Sequence, residues 1–234
     1  MVDFTGGTWR SLIDGSEVSA IPDDGLAHRY KADDLSLSDG DSVSTWSDLA
    51  GSDDLTQTTS SKQPTYKTGI INGQPVVRTD GTDDFLQTAF GTVINQAVEV
   101  YLVCQWASVD DNGDRIFDGE TDRFLLYDRD ADSSSAFMFA GDNVGTGGIA
   151  DTNANIWNLI YDGSNSELRK NDTTEATGDV GANAMDGLTI GAAKDDTFHK
   201  AVDFAEIFIY AQKLSASDRD DIHSYFSDEY GITI

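Results

Sequence analysis

Three carboxylates lie close together in the segment TDGTDDFL, at Asp80, Asp83 and Asp84. Such a group could hold calcium, form a catalytic acid pair, or be a solvated turn. Calcium takes six to eight oxygen ligands around one point. On a strand, the neighbouring Asp83 and Asp84 would face opposite ways, so at most one of them could join Asp80. We therefore predict a structural turn without a metal, and calcium held with the help of distant loops is the second interpretation.

A second acidic run, DRDADSSSAFMF, begins at Asp128 and spaces its acids like the first ligands of an EF-hand loop. Such a loop needs glycine at its sixth position and glutamate at its twelfth. This run has Ser133 and Phe139 there. The run is therefore not an EF-hand, and the sequence predicts no metal site and no cofactor.

The usual hydrolytic arrangements are also missing. Glycoside hydrolysis uses two carboxylates across the scissile bond, but the sequence has no E-x-D-x-E, and the odd separation of Asp203 and Glu206 predicts opposite faces of a strand. A nucleophilic triad needs a histidine near a nucleophile. His28, His199 and His223 have no G-x-S-x-G motif nearby, and we interpret His223 as a solvated helix residue. The sequence therefore predicts that the protein is not an enzyme.

Carbohydrate binding is the chemistry that the loop residues favour. Sugars pack their C–H groups on aromatic rings and hydrogen-bond to carboxylates and amides. The loops within RIFDGETDRFLLYDRDADSSS and GDNVGTGG provide suitable candidates, and we predict a glycan site formed by Asp114, Asp118, Tyr127, Asp128 and Asn143. Each acid on its own could equally be a solvated surface residue. Trp46, Trp106 and Trp157 lie in strand-like segments and are expected in the core, not as sugar platforms.

The charge of the chain limits its partners and its habitat. Fifteen Lys and Arg oppose 42 Asp and Glu, which gives a net charge of −27. Nucleic acids and anionic membranes would be repelled, so neither is expected as a partner. At 1 M salt the Debye length falls to ~3 Å, which screens the repulsion within the fold. We interpret the composition as adaptation to concentrated salt, and an acidic protein from moderate salt is the alternative.

The single cysteine and the apolar segments are consistent with a packed, disulfide-free domain. Cys104 lies in the apolar run VEVYLVCQWA, so no internal disulfide can form and a buried, inert thiol is expected. No apolar stretch approaches the ~18 residues of a membrane span, and the N-terminus has no visible signal peptide.

From Gly25 onward, short apolar runs alternate with Gly, Asp and Asn turn signals. This pattern is typical of an antiparallel sandwich or jelly roll. Near the end, Ser215 and Asp218 form a capping box, and Gly231 provides a C-terminal stop. We therefore predict an all-β fold with one short C-terminal helix.

Several phrases carry a family resemblance. They are ADDL followed by DGDSVSTWSDLAG, QPTY, NGQPVV, DGTDDFL and the ending AEIFIYAQKLSASDRDDIHSYFSDEYGI. In this order they resemble the laminin-G-like, concanavalin A-like jelly-roll domains. The resemblance covers residues 25–234 and implies a concanavalin A-like antiparallel β-sandwich. Because such domains serve lectins, enzyme-attached modules and virion proteins, it indicates the fold more specifically than the function.

Residues 1–24 fall outside the resemblance. They provide the anchors Trp9, Arg10, Leu12 and Ile13, which are too few to fold alone. We predict an extended N-terminal arm that docks on a partner, and an added edge strand is the alternative. This arm resembles the N-terminal arms of haloarchaeal virus tail and capsid proteins.

The resemblance implies a non-catalytic virion surface protein of a haloarchaeal virus, such as a capsid turret, decoration or tail-fibre component. Its partners would be other virion proteins, through the arm, and host cell-surface glycans. Homo-oligomerisation is expected because weak sugar sites gain strength by multivalency. The expected location is the virion surface, outside the cell and in high salt. The alternatives are a structural decoration protein without a ligand and a secreted haloarchaeal carbohydrate-binding module.

Overall fold

The computed structural model describes residues 21–109, 113–121, 123–128 and 134–234, together with the backbone of four short strands before residue 20. Those four strands are β1 (Asp3–Phe4), β2 (Trp9–Arg10), β3 (Leu12–Ile13) and β4 (Ser16–Glu17). The remaining elements are β5 (Leu26–Lys31), β6 (Thr45–Trp46), β7 (Leu55–Thr56), β8 (Thr65–Ile71), β9 (Gln74–Arg78), β10 (Leu86–Ile94), β11 (Val98–Trp106), β12 (Arg115–Asp118), β13 (Leu125–Tyr127), β14 (Ala136–Phe139), β15 (Asn143–Thr146), β16 (Ala154–Tyr161), β17 (Ser166–Lys170), β18 (Thr173–Gly178), β19 (Met185–Ile190), β20 (Val202–Tyr210) and the helix α1 (Ala216–Tyr230).

Two large antiparallel sheets form the body of the molecule. The first has the strand order β15-β14-β13-β12-β19-β10-β7-β6. The second has the order β18-β17-β16-β11-β20-β9-β8, and β5 also pairs with β20. This architecture confirms the predicted all-β antiparallel sandwich with a single C-terminal helix.

The core lies between the two sheets. Alternate residues of each strand point inward, and Trp46, Trp106 and Trp157 are each 1% exposed within this layer. The rings of Trp106 and Trp157 stack with centroids 5.2 Å apart. Cys104 is fully buried in the same layer. The predicted positions of the three tryptophans and of the cysteine are confirmed.

Helix α1 covers the outer face of the second sheet. It begins after Ser215, whose hydroxyl accepts the backbone N–H of Asp218, and it ends at Gly231, whose φ of 64° is left-handed. Both predicted ends are therefore confirmed. Ile222 and Phe226 pack into a second apolar cluster that includes residues of β11 and β20. Among the described residues, no helix combines the length and apolar character needed to cross a bilayer.

The prediction that His223 is solvated is wrong. Its side chain is 1% exposed, because the helix turns this residue toward the sheet. The ring of His223 meets that of Tyr101 edge-on with centroids 5.6 Å apart, and its Nδ1 lies 3.0 Å from Asp172. Burial lowers the pKa of His223, although the Asp172 carboxylate acts in the opposite direction.

The segment before residue 20 forms two small hairpins. Strand β1 pairs with β2, and β3 pairs with β4. The side chains of Trp9, Arg10, Leu12 and Ile13 lie outside the described residues, so their docking role stays a prediction. Residues 21–24 contact the main domain, since the Tyr210 hydroxyl donates to the carbonyl of Pro22 and Ile21 packs on the helix cluster. A truncation that tests the arm should therefore stop at residue 20.

Candidate functional site

The last four strands of the first sheet bring a polar and aromatic set of side chains onto one face. Arg115 is the register partner of Tyr127, and Tyr127 in turn is the partner of Phe137. One step along, Leu125 pairs with Phe139, and Phe139 pairs with Asn143. Register partners point to the same side of a sheet, so these side chains form two adjacent cross-strand rows.

This face is the outer one, directed away from the space between the sheets. The residues that alternate with the rows, Leu126, Met138 and Val144, belong to the central core. Opposite Phe137 stands Gly145, where a Cβ atom would lie 2.5 Å from the Phe137 ring. The missing side chain therefore lets that ring lie flat against β15.

A cavity of about 170 Å³ opens on this face. It is lined by Arg115, Arg123, Leu125, Tyr127, Phe139 and Asn143. The side chains offer two guanidinium groups, a phenol, a primary amide and apolar surface. This combination can hydrogen-bond a polar ligand and also contact its apolar side, which is the usual composition of a small-molecule site.

Arg115 is held rigidly in the cavity wall. Its guanidinium carbon lies 4.6 Å from the centre of the Tyr127 ring and 4.9 Å from that of Phe198. Its Nη1 donates to the carbonyl of Gly113, while its buried Nε has no hydrogen-bond partner in the described part of the chain. Burial, followed by the positive charge of Arg123, lowers the pKa of Arg115. Stacking between two rings fixes the guanidinium before any ligand arrives.

Of the five predicted glycan residues, the structure brings Tyr127 and Asn143 together in this cavity. The Tyr127 hydroxyl donates to Oδ1 of Asn143. Asn143 is exposed, and its amide nitrogen has no partner among the described residues, so it can serve a ligand. These two residues come from β13 and β15, two strands that do not pair with each other.

The predicted acids do not line the cavity. Asp118 is fully buried and accepts the backbone N–H groups of Gly119, Phe124 and Lys194. Asp128 is 1% exposed and pairs with Lys200. The side chain of Asp114 is half-buried, and its carbonyl accepts the N–H of Asp128. The structure therefore places these acids in the framework beneath the site.

Sequence reasoning missed Arg115, Arg123 and Phe139 as site residues. One available signal was the presence of two arginines close together in a chain that carries few cations. The acidic run from Asp128 onward includes residues 129–133, which lie outside the described residues, so the interpretation of that run stays a prediction.

The acidic segment around Asp80 is a turn, as predicted, but the prediction that at most one of Asp83 and Asp84 could join Asp80 is wrong. Oxygens of Asp80, Asp83 and Asp84 all lie within 4.8 Å of one another. The three converge because residues 81–83 are a bend rather than a strand, with Gly81 at a φ of 73°. Asp80 Oδ1 accepts the backbone N–H groups of residues 82, 83 and 84. Burial, then the charges of Asp80 and Asp83, raise the pKa of Asp84 to about 6.

The prediction that Asp203 and Glu206 face opposite ways is also wrong. A register shift in the pairing of β20 with β11 passes over Ala205. The extra residue of such a bulge reverses the alternation that follows it. Both carboxylates therefore lie on the outer face of the second sheet, where Asp203 pairs with Arg78 and Glu206 pairs with Arg29.

No protein-family model and no curated protein matches the sequence. Solved structures do match. A Trypanosoma rangeli sialidase in complex with sialic acid aligns with a TM-score of 0.64 at 10% identity, over 94% of this chain and 36% of that chain. The ligand-binding domain of botulinum neurotoxin serotype D in complex with N-acetylneuraminic acid aligns with a TM-score of 0.61 at 8% identity, over 86% of this chain and 51% of that chain.

At these identities the likeness shows the β-sandwich fold alone. The chain spans about a third of the sialidase and about half of the toxin fragment. The expectation that the protein is not an enzyme is contradicted by the sialidases, since these enzymes contain the same architecture. The fold therefore gives no ground for excluding an enzyme. The jelly-roll resemblance in the sequence agrees with the β-sandwich fold.

Proposed function

We propose that this chain is a carbohydrate-binding β-sandwich whose ligand enters the cavity between Arg115, Tyr127 and Asn143. The observation that carries the proposal is the outer-face set of an aromatic ring, an amide and two guanidinium groups around one opening. Two structural neighbours, the sialidase in complex with sialic acid and the toxin domain in complex with N-acetylneuraminic acid, support the same class of ligand.

The size of the cavity limits what it holds. Complete small-molecule pockets measure ~300–1,000 Å³, whereas this one measures about 170 Å³. It therefore takes roughly one sugar residue and leaves the rest of a glycan outside. Phe139 is half-buried and offers apolar surface to the C–H face of the ring, while Asn143 offers its amide nitrogen to a hydroxyl.

The biological setting that we propose is the surface of a haloarchaeal virus particle. The domain would bind glycans of the host surface, and the part of the predicted arm that precedes residue 21 would attach it to other virion proteins. Homo-oligomers would raise the strength of individually weak sugar sites. The net charge of −27 and the sequence resemblance support this setting. A secreted haloarchaeal carbohydrate-binding module is the second setting compatible with the same site.

A glycan array at about 2–3 M KCl tests the function. We expect the chain to bind a subset of glycans, and Asn143→Ala and Phe139→Ala to weaken that binding about tenfold or more. Asn165→Ala is the matched control, because Asn165 is also exposed but lies in a turn of the other sheet. Absence of binding to every glycan at every salt concentration would favour a structural decoration protein without a ligand.

A further inference from the structure

We propose that the ligand of this cavity carries a carboxylate, and that the guanidinium groups of Arg115 and Arg123 bind it. This inference rests on the proposed function and narrows it to acidic sugars. Arg115 and Arg123 differ in their ion pairs from the other arginines whose side chains are described.

Those other arginines each have a carboxylate within 4 Å. The pairs are Arg29–Glu206, Arg78–Asp203, Arg169–Asp172 and Arg219–Glu99. Within the described part of the chain, Arg115 and Arg123 have no such partner. In a protein with 42 acidic residues this is unexpected, since a carboxylate could have been placed beside either one.

The acids nearest to Arg115 are already engaged. Asp118 is held by three backbone N–H groups, and Asp128 is paired with Lys200. Arg115 and Arg123 instead face each other's charge across one cavity, and Arg115 is only 9% exposed. Among the described acids, Asp118 and Asp128 act on Arg115 only through their charge, so the repulsion between the two partly desolvated guanidinium groups remains and a bound carboxylate would relieve it.

The unused donors of Arg115 and Arg123 together match a carboxylate. The guanidinium group is a planar fork that binds a carboxylate through two parallel hydrogen bonds. Nη1 is occupied by the Gly113 carbonyl and Nε is buried, which leaves Nη2 of Arg115 and the guanidinium of Arg123 as donors without a partner among the described residues. Sugar acids combine such a carboxylate with a ring for Phe139 and with hydroxyls for Asn143. A sulfate ester is also an anion, but it is tetrahedral and matches the planar fork less well.

The negative surface makes this cavity selective. A net charge of −27 repels free anions over most of the molecule. An acidic sugar is therefore attracted only where positive charge is concentrated. High salt screens the exposed acids more strongly than a partly buried pair. In brine, therefore, the long-range repulsion of the ligand falls away while the contact between carboxylate and guanidinium persists.

Calorimetric titration of the full chain in 2 M KCl tests the inference with four probes: N-acetylneuraminic acid, glucuronic acid, glucose and glucose 6-sulfate. We expect a carboxylate sugar to bind at least tenfold more tightly than glucose. Arg123→Gln should weaken its binding about tenfold or more. Arg123 is half-exposed and has no ion pair among the described residues, so this variant should stay folded, which its melting temperature checks.

The matched control is Lys194→Gln. It removes the same charge from a half-buried cation that lies outside the cavity and has no ion pair among the described residues. It should leave binding unchanged. An equal loss in both variants would show a general charge effect and overturn the assignment. If glucose bound as tightly as the acidic sugars, or if only the sulfate ester bound, the carboxylate assignment would be wrong. The proposal of carbohydrate binding would remain. No binding of any of the four probes would overturn the carboxylate assignment, and no binding on a full glycan array as well would overturn both proposals.

Discussion

Lys200 and Asp128 form an ion pair in which both side chains are only 1% exposed. Asp128 directly follows β13 of the first sheet, and Lys200 lies two residues before β20 of the second. The pair therefore ties the two sheets together beside the candidate site. Burial raises the pKa of Asp128, although the Lys200 ammonium opposes that change. A carboxylate predicted to bind sugar thus contributes to the framework instead.

Removing one member of this pair should destabilise the fold strongly. Lys200→Met leaves a buried carboxylate without its cation, which typically costs about 3–5 kcal/mol. Lys200→Met combined with Asp128→Leu should recover most of that loss, because neither charge then remains. Urea unfolding in 2 M KCl measures both variants. If the double variant were as unstable as the single one, the two residues would not act as a pair.

The raised pKa of Asp84 predicts a pH dependence of stability. Its pKa is about 6 in the folded chain and ~3.9 in an unfolded one. Between these values the native state binds the proton more tightly, so stability falls as the pH rises from about 4 to 6. A shift of two units corresponds to at most ~2.7 kcal/mol, and solvent screening reduces this to about 1 kcal/mol.

Asp84→Asn should therefore raise the melting temperature at pH 7 by about 2–4 °C and flatten its slope between pH 4 and 6. Asp83→Asn is the control, and it should have a smaller effect because Asp83 is more exposed. Thermal melts at constant salt check both variants. A lower melting temperature for Asp84→Asn would contradict this account and would indicate that the carboxylate has a cationic partner.

Glu206 anchors helix α1 through two tyrosine hydroxyls of unequal burial. Tyr230, which is 3% exposed, donates to Glu206 at 2.8 Å, and the half-buried Tyr225 donates at 2.9 Å. Tyr230→Phe should cost about 1.5–3 kcal/mol, since water cannot replace the lost donor to a charged group. Tyr225→Phe should cost less, because water reaches that position. Equal losses in chemical denaturation would show that burial does not set the difference.

The net charge predicts stabilisation by salt. Raising KCl from about 0.1 M to 2 M shortens the Debye length below the spacing of most surface charges, so the melting temperature should rise steeply. A variant with the exposed Asp33, Asp34 and Asp220 changed to Asn should show a smaller rise. The melting temperatures of the two proteins across the salt series provide the test. A wild-type melting temperature independent of salt would refute the interpretation as a brine protein.

Local sequence patterns were sufficient to predict the β-sandwich and its C-terminal helix. Short strands bounded by turn residues predicted the two sheets. The capping residues Ser215 and Gly231 predicted both helix ends, because a cap depends on residues within one turn of each other. The apolar contexts of Trp106 and Trp157 placed them in the core, since a strand buries alternate positions.

Only the tertiary structure decided the site. The bulge at Ala205 and the bend after Asp80 changed which side chains share a face, and local alternation could not anticipate either one. The residue types of Tyr127 and Asn143 were sufficient to predict both as glycan-site candidates. Their meeting with Arg115, however, depends on the register of four strands, which is set by contacts distant in sequence. The sequence by itself determined the fold class and the charge, whereas the packing of separate strands decided which residues surround the cavity.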